Sequence, residues 1–340
     1  MKTFNPSMII FRENALEYPL GENLYKLFQD KETEVKTVSS RGPFPLNYDL
    51  PFKKKFHRAK SIIVVSVRSL SKFQTCKPSA HYQLPLVTGC PAHCHYCYLS
   101  TNLGKNPYLK VYVNIDEIFD KAIQYMEERE PETTIFEGAA TSDPLPVEKW
   151  TGSLAHAIKF FAGDDRGQFR FVTKFTEVEP LLELDHKQQT EFRFSLNSSH
   201  AIQKFEPTTP GVEERLKAAA KVLQAGYPMG FLIAPIFIYD DWKEDYENLI
   251  KNLSNILNTS GEGLAFELIT HRYTERAKNI IKKAYPKTEL PMDNEERQFK
   301  YGQFGYGKYI YPKETMTKIE NFMQQTLDKH LPEAEIKYFV

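Results

Sequence analysis

The sequence predicts an α/β fold of successive strand–helix units with a parallel sheet, and three features carry that prediction. Short apolar runs at residues 84–87, 134–136, 169–172, 192–196, 231–238 and 264–269 alternate with amphipathic stretches. The stretches between them carry helix start and stop signals. The residues just after the strand candidates are polar, as expected where ligands gather at the carboxyl ends of parallel strands. Six such units fit either an open doubly wound sheet or an incomplete barrel, and periodicity does not separate the two.

Asn114 predicts a cap for a helix whose apolar face is Ile115, Ile118, Phe119, Ala122 and Met126, with Glu117 placed for a capping box. Thr209 and Pro210 predict the start of a second helix through Val212, Leu216, Ala219, Ala220 and Leu223, closed by Gly226. Further helices are expected over 148–162, 179–189 and 241–257. The polar post-strand residues are Thr141, Ser142 and Asp143; Thr173 and Lys174; Asn197, Ser198, Ser199 and His200; Thr270, His271 and Arg272. Singly, each fits a helix cap as well as a ligand.

The flanks differ in character. Residues 1–82 read as an N-terminal α/β layer with strands near 8–11 and 61–67 and a helix near 23–28. Residues 83–280 hold the repeating units. Residues 281–340 hold a stretch that alternates aromatics with glycine, Tyr301-Gly-Gln-Phe-Gly-Tyr-Gly-Lys-Tyr-Ile-Tyr311, and then a helix over 312–330. That stretch suits a hairpin whose turn needs positive φ near Gly305 or Gly307.

Composition narrows the function classes. A chain of 340 residues with 41% apolar content buries a large core. Its longest apolar runs fall far short of the roughly 20 residues of a membrane helix, and its start lacks a secretory signal, so the cytoplasm is the expected compartment. With 44 basic and 44 acidic residues, nothing global announces a polyanionic partner. Local basic runs exist at 53–60 and at Lys278, Lys282, Lys283 and Lys287, where a solvated face is the ordinary meaning.

Three of the four cysteines lie in Cys90-Pro-Ala-His-Cys94-His-Tyr-Cys97. A tight cluster in a large chain points to metal or redox chemistry, while Cys76 stands apart and reads as a small core residue. Three thiolates on one loop can bind three corners of an iron–sulfur cubane and leave the fourth iron open to another molecule. The competing reading is structural zinc in a DNA-binding module, with His93 or His95 as fourth ligand, although no second ligand pair is visible.

The spacing, its place after a strand candidate and Tyr96 make this loop resemble the signature of the radical S-adenosylmethionine (SAM) superfamily. Within it, the chain resembles the spore photoproduct lyase family over essentially its whole length. The most specific segments are the cysteine loop with Tyr98, Phe136-Glu-Gly-Ala-Ala-Thr-Ser-Asp-Pro144, Phe192-Arg-Phe-Ser-Leu-Asn197 and Lys300-Tyr-Gly-Gln-Phe-Gly-Tyr-Gly-Lys-Tyr309. The resemblance implies an incomplete (β/α)6 barrel, a [4Fe-4S] cluster on Cys90, Cys94 and Cys97, and SAM beside Gly138, Ser142, Lys174, Ser195, Asn197 and Ala234. It implies a 5′-deoxyadenosyl radical that takes hydrogen from 5-thyminyl-5,6-dihydrothymine, with Tyr98 and Tyr96 near the radical path. It also implies lesion or DNA contacts at Tyr301, Phe304, Tyr306, Lys308 and Arg272. The implied partners are ultraviolet-damaged DNA and an external one-electron reductant; the expected state is a monomer in the spore core. A different radical SAM enzyme, acting on a small molecule or RNA base, stays open as an alternative. At Ala140 the family carries the cysteine that hands hydrogen back to the thymine radical, so the expectation is impaired final hydrogen return.

Overall fold

A computed structural model describes residues 4–46, 49–301, 305 and 307–340, so Phe304 and Tyr306 lie outside the described residues. The chain divides into two compact units. The first comprises Met1–Pro91, Asn102–Thr173 and Glu177–Glu191; the second comprises Ala92–Thr101, Lys174–Thr176 and Phe192–Val340.

In the first unit, the strands Glu34–Val38, Met8–Arg12, Ile62–Ser66 and Leu109–Tyr112 run parallel in that order, and Val87–Thr88 adds antiparallel to Leu109–Tyr112. Met8, Ile10, Ile62, Val64 and Leu46 form one apolar cluster on this sheet, because alternate residues of a strand point to the same face. A second run begins with Thr75–Cys76, antiparallel to Ala80–Gln83, which lies parallel to Thr134–Glu137, itself parallel to Gly167–Thr173.

The first strand of the repeating series is therefore Ala80–Gln83 and not residues 84–87. Leu84 and Leu86 are buried in the connection, and an apolar run looks the same in a buried turn as in a strand. The expected helix over 148–162 is two helices, Leu145–Thr151 and Ser153–Ala162, broken at Gly152, whose φ is 59°. The Glu148 carboxylate bridges the break, accepting the amides of Leu154 at 2.7 Å and Ala155 at 2.9 Å. Residues 179–189 form only the 3-10 turn Glu179–Leu181, and Lys187 and Gln188 further on take positive φ, outside the helical region.

Two caps also differ from expectation. Asn114 precedes the helix Ile115–Glu127, but its side chain accepts the Arg68 amide at 2.7 Å and donates to Glu117, so it ties the helix start to a neighbouring strand's end. The helix after Thr209 is Val212–Gln224, with Gly211 at the cap and the Gly211 amide donating to Glu214 at 2.8 Å. Thr209 is turned away to Glu206.

In the second unit, Thr190–Leu196, Met229–Ile236, Leu264–Thr270 and Glu335–Phe339 are successive parallel neighbours. The last strand was not anticipated, although Glu335 and Lys337 alternate with Ile336 and Tyr338 in the period of a half-buried strand. The helices Trp242–Leu257 and Lys313–His330 lie close to their expected spans. Gln298–Tyr301 and Gly307–Ile310 form the expected antiparallel hairpin, with Gly305 at φ 75°.

Candidate active site

Within the first unit, the entry to the cysteine loop is stitched to the segment around Ala140. Gly89 has φ 86°, and a Cβ there would lie 2.7 Å from the Tyr108 carbonyl oxygen, so only glycine fits. The Gly89 amide donates to Thr141 O at 2.8 Å, and the Asp143 amide returns to Gly89 O at 3.3 Å. Buried Lys60 donates to the Cys90 carbonyl at 3.0 Å. Ser142 Oγ donates to Gly138 O at 3.2 Å, and Thr173 Oγ1 donates to Asp143 at 2.8 Å. Gly138 is held tight against an aromatic ring: an added Cβ would meet Phe169 carbons at 2.7 Å. Ala140 follows, half-buried, and its methyl offers neither acid nor hydrogen donor.

The second unit gathers a charged cluster around Glu206, at the end of the helix Ser199–Phe205. Glu206 Oε1 accepts the Tyr96 hydroxyl and Lys174 Nζ, the latter at 3.2 Å. Glu206 Oε2 accepts the Arg215 guanidinium and, at 3.1 Å, Thr209 Oγ1. Lys174 also donates to Ser195 Oγ at 2.9 Å, and Arg215 donates to Ser195 O at 2.9 Å. Burial pushes the Glu206 carboxyl up, but the charges of Arg215 and Lys174 outweigh it and hold the group down at about 2. Desolvation, then Glu206, pushes the Tyr96 phenol well above its ordinary value, so it stays a hydrogen donor.

Glu206 and Arg215 had not been singled out in the sequence. The available signal was Arg215 itself, a fully buried arginine on the same apolar stripe as Leu216 and Ala219. Asn197 is equally committed: it donates to Pro235 O and accepts the Tyr246 hydroxyl, each at 2.8 Å. Its side chain thereby fixes the strand end next to half-buried Ala234.

Cys94 is buried, and desolvation, then Glu206, pushes its thiol up to about 12; its nearest electrostatic neighbours include Cys97. A metal must displace that proton. Among the described residues no three His, Cys, Asp or Glu side chains converge as a group able to hold one metal ion. A single zinc needs its ligands converging at about 2.3 Å for sulfur. Three thiols on one loop are the soft donor type that an iron–sulfur cluster takes, one per iron.

The aromatic hairpin carries a basic, partly apolar face. Tyr301 and Phe299 are exposed by 73% and 49%, whereas Tyr309 stacks on Tyr273 at 5.3 Å. Lys300 and Lys308 lie directly opposite across the strands. Burial, then the charges of Arg272 and Lys300, lowers the Lys308 pKa, while Arg272 itself is exposed. Tyr98 is 60% exposed at the start of the helix Tyr98–Asn102.

Known proteins resemble this chain along its whole length. The spore photoproduct lyase family model matches residues 4–340. A spore photoproduct lyase of Clostridium acetobutylicum is 44% identical over 335 residues, covering 98% of each chain. That of Bacillus subtilis is 43% identical over 340 residues, covering 99% of this chain and 98% of its own. A solved structure with a TM-score of 0.96 and 43% identity covers both chains completely. It is a spore photoproduct lyase double mutant, alanine for cysteine at position 140 and cysteine for serine at position 76, with bound AdoMet and dinucleoside spore photoproduct. The fold is accordingly the mixed α/β, curled half-barrel fold of that radical SAM enzyme. The chain belongs to the spore photoproduct lyase family, enzymes that split the spore photoproduct in DNA repair.

Proposed function

We propose that this protein repairs the thymine lesion 5-thyminyl-5,6-dihydrothymine with SAM and a [4Fe-4S] cluster on Cys90, Cys94 and Cys97. The observation that carries the reading is the Glu206 cluster: Tyr96 from the cysteine loop and Lys174 both meet one buried carboxylate, and Lys174 also reaches Ser195 Oγ. Two groups assigned to radical and cofactor chemistry thus share one anchor, and a third is tied to it through Lys174.

The cluster and SAM would together supply the carbon radical that removes hydrogen from the lesion. The chain's own residues bind and orient. Lys174, salt-bridged to Glu206 and donating to Ser195, presents one compact cation of the kind that suits the carboxylate of SAM. Gly138 is buried and brings no side chain to its strand end, and Ser142, bonded to its carbonyl, holds that backbone in place. Asn197 cannot turn to a ligand without releasing Pro235 and Tyr246, so its role is to shape the Ala234 edge of the site. Around Tyr301, the exposed rings and the Arg272, Lys300 and Lys308 charges suit a damaged duplex, with aromatics filling a vacated stack and cations on phosphates.

The test is to reconstitute the protein anaerobically, supply SAM and a low-potential reductant, and offer the dinucleoside spore photoproduct. The expected result is brown protein with about four irons per chain and conversion of the lesion to thymine dinucleoside. Colourless protein holding one zinc, or reduced protein that cleaves SAM without acting on the lesion, would refute the reading.

A further inference from the structure

We propose that the basic helix Phe52–Ala59 is the docking surface for the protein that reduces this enzyme, a small acidic one-electron carrier. The inference rests on the repair reading above, which requires an external reductant, and it names the kind of partner and the place where that partner binds.

Charge is the first observation. The chain has no net charge, yet residues 50–61 hold Lys53, Lys54, Lys55, His57, Arg58 and Lys60 and no acidic residue. Lys53, Lys54 and Arg58 are exposed, and Lys55 is half-buried. Among the described residues, Lys53, Lys54 and Lys55 make no ion pair. Lys54 and Arg58 stand four residues apart on the helix, a like-charge spacing that weakens it. A face that leaves such repulsion unrelieved within its own fold is complementary to an anionic surface outside it. Aromatic area accompanies the cations: half-buried Phe52 stacks on buried Phe56 at 6.0 Å, and aromatic rings are enriched at interfaces.

Position is the second observation, and it selects the partner. Lys60 follows the helix directly, and its buried side chain donates to the Cys90 carbonyl at 3.0 Å. Cys90 is the first thiol of the loop to which the repair reading assigns the cluster. Thr88, two residues before it, pairs with Lys110, a further half-buried cation. The helix is thus braced against the chain that opens the cysteine loop. A nucleic acid could use the same charges, but the hairpin strands Gln298–Tyr301 and Gly307–Ile310 already offer it a basic, aromatic face. Lesion binding requires no second one at the cysteine loop, whereas an electron for the cluster must enter there. The footprint fits as well, because encounters between electron-transfer proteins bury less than about 1,200 Å² and are steered by charge. A helix of 8 residues with its neighbours supplies a patch of that kind.

The step is the transfer of one electron alone. The reduced carrier is oxidised by one electron and the cluster on this loop is reduced by one; no bond is made or broken and no proton moves.

The experiment compares the reconstituted wild-type holoenzyme with Lys53→Glu/Lys54→Glu. Lys251→Glu/Lys318→Glu, two exposed positions on helices of the second unit, controls for total charge. The probes are an acidic bacterial ferredoxin and an acidic bacterial flavodoxin. Calorimetric titration reads carrier binding at low and high salt. Lesion turnover is read with reduced carrier and, separately, with dithionite, which needs no docking surface. Wild type is expected to bind a carrier, more weakly as salt rises. Lys53→Glu/Lys54→Glu is expected to weaken that binding by at least about tenfold and to flatten its salt dependence. Carrier-driven turnover at limiting carrier should fall in parallel, while dithionite-driven turnover and duplex binding stay at the wild-type level. Binding of neither carrier by wild type, unchanged carrier binding in Lys53→Glu/Lys54→Glu, or an equal loss in the control would each overturn the inference. A loss confined to duplex binding would overturn it too, by assigning the helix to the nucleic acid. Wild type that binds a carrier and cleaves SAM but leaves the lesion intact would overturn the repair reading instead, and the titration would still decide the docking surface.

Discussion

Lys174 Nζ lies 3.2 Å from Glu206 Oε1, the same oxygen that accepts the Tyr96 hydroxyl, while Arg215 holds the other oxygen. Two cations thus share one buried carboxylate. The carboxylate is therefore indispensable to both of them.

Glu206→Gln removes the only formal negative charge seen to neutralise Arg215 and Lys174 among their described ion pairs. Breaking one side of a buried ion pair costs about 3–5 kcal/mol. The expected outcome is a fall of that size in urea unfolding, with looser SAM binding by equilibrium titration. Arg215→Met should cost less in the background of Glu206→Gln than alone, because the pair is already broken. Strict additivity of the two changes would rule out the coupling.

The same carboxylate sets a pH dependence. Its folded value of about 2 lies below the ordinary 4.5, so the stability it contributes is fully present above about pH 4.5 and is lost as pH falls toward 2. At 1.36 kcal/mol per unit this amounts to about 3 kcal/mol. Glu148 acts in the opposite direction: burial raises it to about 7 despite its two amide donors, so its contribution is present at low pH and is lost as pH rises through 7. Urea midpoints measured from pH 3 to 8 should show Glu206→Gln flattening the acid limb and Glu148→Gln flattening the neutral one. An acid limb unchanged in Glu206→Gln would sink the assignment.

The repeating architecture was legible because parallel strands buried on both faces read as apolar runs, and five of the six strands appear at their expected places. The first was misplaced because Leu84 and Leu86 are buried without pairing as a strand, and burial is all that an apolar run reports. The cysteine loop was legible because its spacing is local. The Glu206 cluster was not: Tyr96, Lys174, Ser195, Glu206 and Arg215 come from four segments, and only the fold brings them together.

Gly138 should tolerate no side chain. A Cβ there would approach Phe169 Cε2 and Cζ to 2.7 Å, and that ring is stacked between Phe161 at 5.5 Å and Phe171 at 5.7 Å, so it has nowhere to retreat. Gly138→Ala is expected to lose about 1–3 kcal/mol by overpacking. Phe169→Leu added to it should recover part of that loss. Stability of Gly138→Ala equal to wild type in thermal and urea unfolding would show that the ring yields.

The hairpin makes a prediction that separates lesion chemistry from duplex binding. Lys300 and Lys308 face each other across the strands, and like charges directly opposite destabilise an antiparallel pair. A polyanion relieves that repulsion, so the pair gains most when phosphate is bound. Lys300→Ala should therefore leave turnover of the dinucleoside lesion near wild type while weakening binding to a lesion-bearing duplex. Each lost phosphate contact lowers the slope of log K against log salt by about 0.9. Tyr301→Ala, which removes a ring exposed by 73%, should weaken duplex repair by about 1–3 kcal/mol of lost stacking and leave the salt slope unchanged. The two variants thus differ in a salt titration of duplex binding, one changing the slope and the other only the intercept. Equal loss on dinucleoside and duplex substrates for both variants would place the hairpin in the chemistry of the lesion and not in the grip on the strand.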